Sequence, residues 1–412
     1  MDSQTSNVLP PPSEGGALAD IASDVDVRQS SGRHRLWAIP AAVVSLLSVF
    51  AVSVAAIIPS KVVAEKENTR IGEMQPAEFA RVPGSAQAIG RKVSVSVGDG
   101  GGAVPAIFEP DGDFMMVTVM EPSQSVLSWW VGKNEPAVEM LTYEDKFGFQ
   151  TAEQRRVFSL EQMRTSEEVA EYVALSWLGF PAEILPGDVL ISEIACLTYD
   201  AEGVCASWPP SADVLQPGDR LVSADGVELA SVNDLVEVLQ DKRSGDTIEV
   251  RVDRGGEGVF DTSVELTSAP DEPNRTIIGF IPFDTRRVEL PFSVSIDTGS
   301  VGGPSAGLAF TLTLIDALSE GSLTGGERVA VTGTIDLDGS VGAIGGLVQK
   351  ASAVEQAGVR LFLVPASQRA SDVEAARRAA PTLEIVSVAT LDEAISVLVD
   401  HGAVFPERPA ER

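Results

Sequence analysis

Asp297-Thr298-Gly299-Ser300-Val301-Gly302-Gly303-Pro304-Ser305-Ala306-Gly307 follows an extended apolar stretch at 292–296 and runs into a helical pattern that continues to about Leu318. The spacing predicts a strand, a glycine-rich turn and a helix, with Ser305 at the junction. Backbone N–H groups converge at a helix N-terminus, and the helix dipole there favours an anion. A serine in that place suits a nucleophile beside an oxyanion hole. Taken alone, it also suits a plain helix-start residue.

A nucleophilic serine needs a base. The chain has two histidines, His34 and His401, far apart in sequence. They make a Ser-His-Asp triad improbable and nearly exclude a multi-His metal site, so no metal ligands are assigned. A lysine that burial keeps neutral is the alternative. Val329-Ala330-Val331-Thr332-Gly333-Thr334-Ile335 reads as a strand and Asp338-Gly339 as a turn. Residues 341–350 then lead into a helix reaching about Gln356, with Lys350 among Ile344, Leu347, Ala351 and Val354. The only other lysine beyond residue 200, Lys242, sits beside Arg243 in a polar stretch. Asp297, Asp336 and Asp338 read as turn residues, and His401 as a surface residue.

These strings resemble the proteolytic domain of the Lon family of Ser–Lys peptidases. Gly303-Pro304-Ser305-Ala306-Gly307 is similar to the family's G-P-S-A-G around its nucleophile. Gly345-Gly346-Leu347-Val348-Gln349-Lys350 is similar to its G-G-x-x-x-K around the base, and Thr332-Gly333 resembles its T-G pair. The separation of Ser305 from Lys350 is also close to the family's. The resemblance implies that Ser305 attacks a peptide carbonyl, that Lys350 takes and returns the proton, and that Thr332 orients Lys350. It also implies that backbone amides from Gly303 to Ser305 hold the oxyanion, and that the domain assembles into a homo-oligomer. Two departures stand out: Gly302 occupies the place of an Asp found in ATP-dependent Lon enzymes, and their ATPase module is missing.

Residues 183–270 read as a small β-rich domain. A strand at 221–224, the Asp225-Gly226 turn, a helix with Val232, Leu235, Val236 and Leu239 on one face, and strands at 246–252 and 259–266 follow in order. Leu215-Gln216-Pro217-Gly218-Asp219-Arg220-Leu221 and the later Asp225-Gly226 resemble the bacterial PDZ pattern. PDZ domains take extended peptide termini by adding a strand to a sheet edge. An apparent insertion at 191–210, holding Cys196 and Cys205, falls where the family's peptide-accepting strand and loop are expected, so no peptide-binding residues are assigned. The two cysteines are either a disulfide, worth about 2–3 kcal/mol by loop entropy, or two core thiols.

Length and charge bound the rest. The 412 residues, 44% of them apolar, suffice for two or three domains. A net charge of -30 argues against a nucleic-acid partner. No G-x-x-x-x-G-K-[ST] string occurs, so neither ATP nor another cofactor is expected. Residues 1–35 read as a disordered tail. Residues 36–58 carry no charge and are long enough to span a bilayer. A cleaved signal peptide and a buried helix compete with that reading. Arg28, Arg33 and Arg35 favour a cytoplasmic N-terminus, which places the catalytic part outside the cell membrane.

Residues 67–182 are the least legible: strands are expected at 92–97 and 114–119, a glycine turn at 98–102, and a helix at 166–178 capped by Thr165 with Glu168. Trp129, Trp130 and Trp177 read as packing residues. The expected architecture is α+β: a transmembrane helix at 36–58, an extracytoplasmic region at 59–182, a PDZ domain at 183–270 and a mixed α/β Lon-type domain at 275–403.

The leading function is an ATP-independent, membrane-anchored serine endopeptidase acting on unfolded or exposed polypeptide segments. Its PDZ domain presents substrate or gates access. A binding scaffold and an acyl hydrolase or amidase using the same dyad are the competing readings. The intact Ser305, Thr332 and Lys350 speak against the scaffold.

Overall fold

The computed structural model describes residues 33–67, 73–90, 93–96, 105–148, 150–199, 205–270, 272–299 and 301–404; side chains are described outside 33–39 and 41. The expected tail, for residues 1–32, and the glycine turn at 98–102 lie outside the described residues.

Two compact units divide the chain, Met1–Val54 and Ala55–Arg412. The first holds most of helix α1 (Arg33–Ile57). Its described side chains are exposed, Leu46 at 73% and Phe50 at 67% among them. Among the described residues no helix is long and apolar enough to cross a membrane, so the span expected at 36–58 stands unsupported by the structure.

The second unit is built on strands β1 (Met74–Ala88) and β2 (Asp113–Met120), helix α2 (Ala152–Trp177), strands β3 (Glu183–Ile194) and β4 (Arg220–Ala224), and helix α3 (Val232–Leu239). Strands β5 (Thr247–Asp253), β6 (Val259–Glu265), β7 (Phe280–Glu289) and β8 (Arg328–Val331) follow, with helix α4 (Gly307–Leu318) between β7 and β8. Helix α5 (Leu347–Gln356) and strands β9 (Leu361–Pro365) and β10 (Glu384–Val388) complete the frame.

The larger sheet runs β1-β2-β8-β9-β10, with Glu65–Glu67 on the far side of β1. β2, β8, β9 and β10 are parallel, and β1 is antiparallel to β2. Successive side chains of a strand point to opposite faces. Phe114, Met116, Val329 and Val331 thus face one core, with α2 and α4. Met115, Val117, Ala330 and Phe362 face the other, with α5. Both faces are covered, as a parallel sheet requires. The smaller sheet runs β6-β5-β4-β3-β7 around Val189, Ile191, Leu221, Val250 and Val264.

Several expectations change. Residues 59–182 are no separate region: β1 and β2 lie in the sheet that carries the Lys350 helix. Residues 280–289, inside the range expected for the proteolytic domain, form β7 of the smaller sheet. The helix expected at 166–178 begins at Ala152, where Thr151 and Gln154 make the capping box. Thr165 lies inside the helix, its hydroxyl buried without a partner among the described residues. Trp130 is 64% exposed rather than packed, whereas Trp177 is buried. β3 is an interior strand and β7 the edge strand beside it, so the strand that leads into the 191–210 insertion is not at an edge. Its described part forms a small hairpin, Thr198–Tyr199 with Cys205–Ser207, in which Cys196 and Cys205 are bonded.

Candidate active site

Three segments distant in sequence bring the expected residues together. The strand expected at 329–335 breaks after Val331, because Gly333 takes φ 150°, a value L side chains rarely adopt. The break leaves Thr332 at the C-terminal end of β8, fully buried. Ser305 precedes α4, two residues before the helix begins. Lys350 lies in the first turn of α5, whose cap Gly346 takes φ 69°. A Cβ on Gly346 would meet Val119 at 3.0 Å and Arg81 at 3.1 Å, so β1 and β2 press on the lysine loop.

Lys350 Nζ lies 2.7 Å from Ser305 Oγ and 2.9 Å from Thr332 Oγ1. The Thr332 hydroxyl donates to the Ser305 carbonyl at 3.1 Å. Its proton is thereby committed, and its oxygen accepts from Lys350. A neutral Lys350 then keeps its lone pair for the Ser305 hydroxyl. Only 3% of Lys350 is exposed. Burial pushes its amine down to about 7, and no carboxylate among the described residues offsets this. Ser305 itself is half-buried.

Gly303, the fourth expected residue, is placed differently from its expected role. Its N–H donates to the Ser159 carbonyl of α2 at 2.7 Å. Ser159 also crowds Gly302, where a Cβ would lie 2.8 Å from the Ser159 Cβ. That contact gives a steric reason for glycine at 302. Asp297 and Asp338 accept from backbone N–H groups two residues on, as turn residues do. His401 is exposed, outside the site. Among the described residues no group of three or more His, Cys, Asp or Glu side chains is placed to hold a metal ion.

Sequence reasoning missed the contribution of α2. Ser166 donates to the Pro304 carbonyl at 3.0 Å, and Glu167 accepts from Thr298 at 2.9 Å. No motif marked these residues; only the fold brings α2 to the turn. A cleft of about 500 Å³ opens beside the turn, bordered by Ser166, Pro304 and Thr334 and, from the smaller sheet's side, by Val232, Pro282 and Phe283. A larger cavity of about 930 Å³ between α2 and the smaller sheet includes none of Ser305, Thr332 and Lys350.

Comparison with known proteins finds two domains in the chain. The family model of the Lon protease (S16) C-terminal proteolytic domain matches residues 292–401, and that of the PDZ domain matches residues 202–266. A Lon protease of Mycoplasma mobile is 28% identical over 156 residues, 36% of this chain and 18% of the relative. One from Phenylobacterium zucineum is 32% identical over 123 residues, 30% of this chain and 15% of the relative. The chain therefore spans less than a fifth of the length of these curated relatives. Residues 292–401 are a proteolytic domain of the Lon type, and a PDZ domain precedes it in the same chain.

Proposed function

We propose that the protein is an ATP-independent serine endopeptidase in which Ser305 and Lys350 form the catalytic dyad and Thr332 orients the lysine. The observation that carries this reading is the buried lysine, without a carboxylate partner among the described residues, at 2.7 Å from a serine at a helix start. Ser305 Oγ attacks the substrate carbonyl carbon while its proton passes to Lys350 Nζ. The tetrahedral adduct collapses to an acyl-enzyme as Lys350 returns the proton to the leaving amine. Water, deprotonated by Lys350, then attacks the ester carbonyl, and the adduct collapses to the carboxylic acid product as Lys350 returns the proton to the departing Ser305 Oγ.

Residues 59–182 and 290–403 form one proteolytic module in this reading, with the PDZ domain inserted between them. The shared cleft supports a PDZ domain that presents substrate or gates access. Substrates in this reading are unfolded or exposed polypeptide segments. The uncharged sequence 36–58, with Arg28, Arg33 and Arg35 before it, supports a membrane anchor in this reading, with the N-terminus cytoplasmic and the catalytic part outside. The Lon-type domain supports a homo-oligomer.

The test is cleavage of unfolded casein by the full chain without ATP, beside Ser305→Ala and Lys350→Ala. Cleavage by the parent alone is expected. Equal cleavage by all three, or by none, overturns the assignment.

A further inference from the structure

The nucleophile turn offers few backbone donors for an oxyanion. The Gly303 N–H is held by the Ser159 carbonyl. Pro304 has no N–H. Among the described residues the Ser305 N–H has no backbone acceptor. Of the three positions from 303 to 305, Ser305 therefore supplies the donor that is available. Its direction depends on one peptide plane: the Pro304 carbonyl and the Ser305 N–H belong to the same planar trans unit and point to opposite sides. Whatever holds the carbonyl aims the N–H.

Ser166 Oγ donates to that carbonyl at 3.0 Å, closer than the Gly307 N–H, which donates to it at 3.4 Å. Ser166 is buried in the middle of α2. A Cβ at Gly307 would lie 3.0 Å from its Oγ, so the hydroxyl sits close over the turn on both sides of Ser305. A second contact, Thr298 to Glu167, ties the start of the turn to the next residue of the same helix. The far side of α2 is braced against β7: Phe158 meets Phe283 edge-on at 5.7 Å, and Glu168 accepts from the Val288 N–H at 2.8 Å. The hydroxyl thus projects from a helix held on two sides.

We propose that Ser166 is a positioning residue for the peptidase reaction: by holding the Pro304 carbonyl it aims the Ser305 N–H at the developing oxyanion. The inference rests on the peptidase reading above. Ser166 lies outside the residues matched by the family model, and its effect passes through the Pro304–Ser305 peptide rather than through contact with the reacting atoms.

The experiment compares the full-length parent with Ser166→Ala and Ser166→Thr on one peptide substrate, with active sites titrated. Losing an oxyanion donor outright costs about a hundred- to a thousandfold in kcat. A misdirected donor is expected to cost less, so Ser166→Ala should lower kcat about ten- to a hundredfold. KM should change less than about twofold, and the acid limb set by Lys350 should not move. Ser166→Thr keeps the hydroxyl and should restore most of kcat.

A peptide aldehyde supplies the readout that a structural role does not move. Ser305 Oγ adds to its carbon, the serine proton passes to Lys350, and the carbonyl oxygen becomes the oxyanion. Its inhibition constant, unaffected by the fraction of folded enzyme, should weaken in Ser166→Ala by the same factor as kcat/KM. An unchanged kcat per active site, an unchanged aldehyde constant, or a threonine variant as slow as the alanine variant overturns the proposal. A parent chain that cleaves nothing, or a Ser305→Ala variant that still cleaves, instead overturns the peptidase reading on which it rests.

Discussion

Lowering the pH from about 8 to about 5 should convert Lys350 from a mostly neutral amine to an almost wholly charged one, and the reaction should stop with it. The amine sits at about 7 because burial disfavours its charged form. Its neutral fraction is then about 90% at pH 8, about 10% at pH 6 and about 1% at pH 5. An exposed lysine at 10.5 would be only about 0.03% neutral at pH 7, so burial raises the supply of base there by about a thousandfold. The assay is kcat/KM for a short peptide between about pH 5 and pH 9. A single acid limb near 7 is expected, falling tenfold per unit below it. A flat profile down to pH 5, or a midpoint above 9, refutes the reasoning. The same shift acts on stability. A depressed folded value means stability that is present above the unfolded value and lost as pH falls through the folded one. The window therefore runs from about 10.5 down to about 7, and the 3.5-unit shift corresponds to about 5 kcal/mol. Lys350→Met should remove that slope and be more stable than the parent at neutral pH.

Three further outcomes follow from the geometry. Thr332→Val removes the hydroxyl that accepts from Lys350 and donates to the Ser305 carbonyl; kcat should fall by about tenfold or more, with about 1 kcal/mol of stability lost, read by peptide kinetics and thermal unfolding. Gly302→Ala forces its Cβ against Ser159 at 2.8 Å, which should loosen the turn from α2 and cost about 1–3 kcal/mol in denaturant titration; an unchanged midpoint would count against the observed approach. Glu171 is pushed up to about 8, first by burial and then by Glu168 and Glu167. Its contribution to stability is therefore present below about 4.5 and lost as pH rises through about 8, so Glu171→Gln should gain several kcal/mol over the parent near pH 9 and nothing near pH 4.

Much of the site was legible in the chain. Ser305, Thr332 and Lys350 each sit in a local signal: a glycine-proline turn before a helix, a Thr-Gly break in a strand, and a glycine pair before a helix. The PDZ strands were legible because apolar and polar residues alternate at 247–253 and tight turns separate them. The first half of α2 was not, because residues 153–164 are mostly polar and their charged residues pair along the helix surface, Arg156 with Glu153 and Arg164 with Glu161 and Glu168, leaving a weak apolar period. Trp130 misled because an aromatic side chain gives no local sign of whether another element will cover it.

The sequence by itself determined what depends on near neighbours: where the chain turns, which helix starts carry a serine or a lysine, and which faces alternate. Tertiary structure alone decided that β1 and β2 join the sheet beneath Lys350, that β7 rather than the disulfide hairpin flanks β3 at an edge of the smaller sheet, and that α2 holds the nucleophile turn. These outcomes depend on pairing between segments far apart in the chain. The burial that lowers the Lys350 amine is set in the same way, because the desolvation felt by one side chain is the sum of everything the fold packs around it.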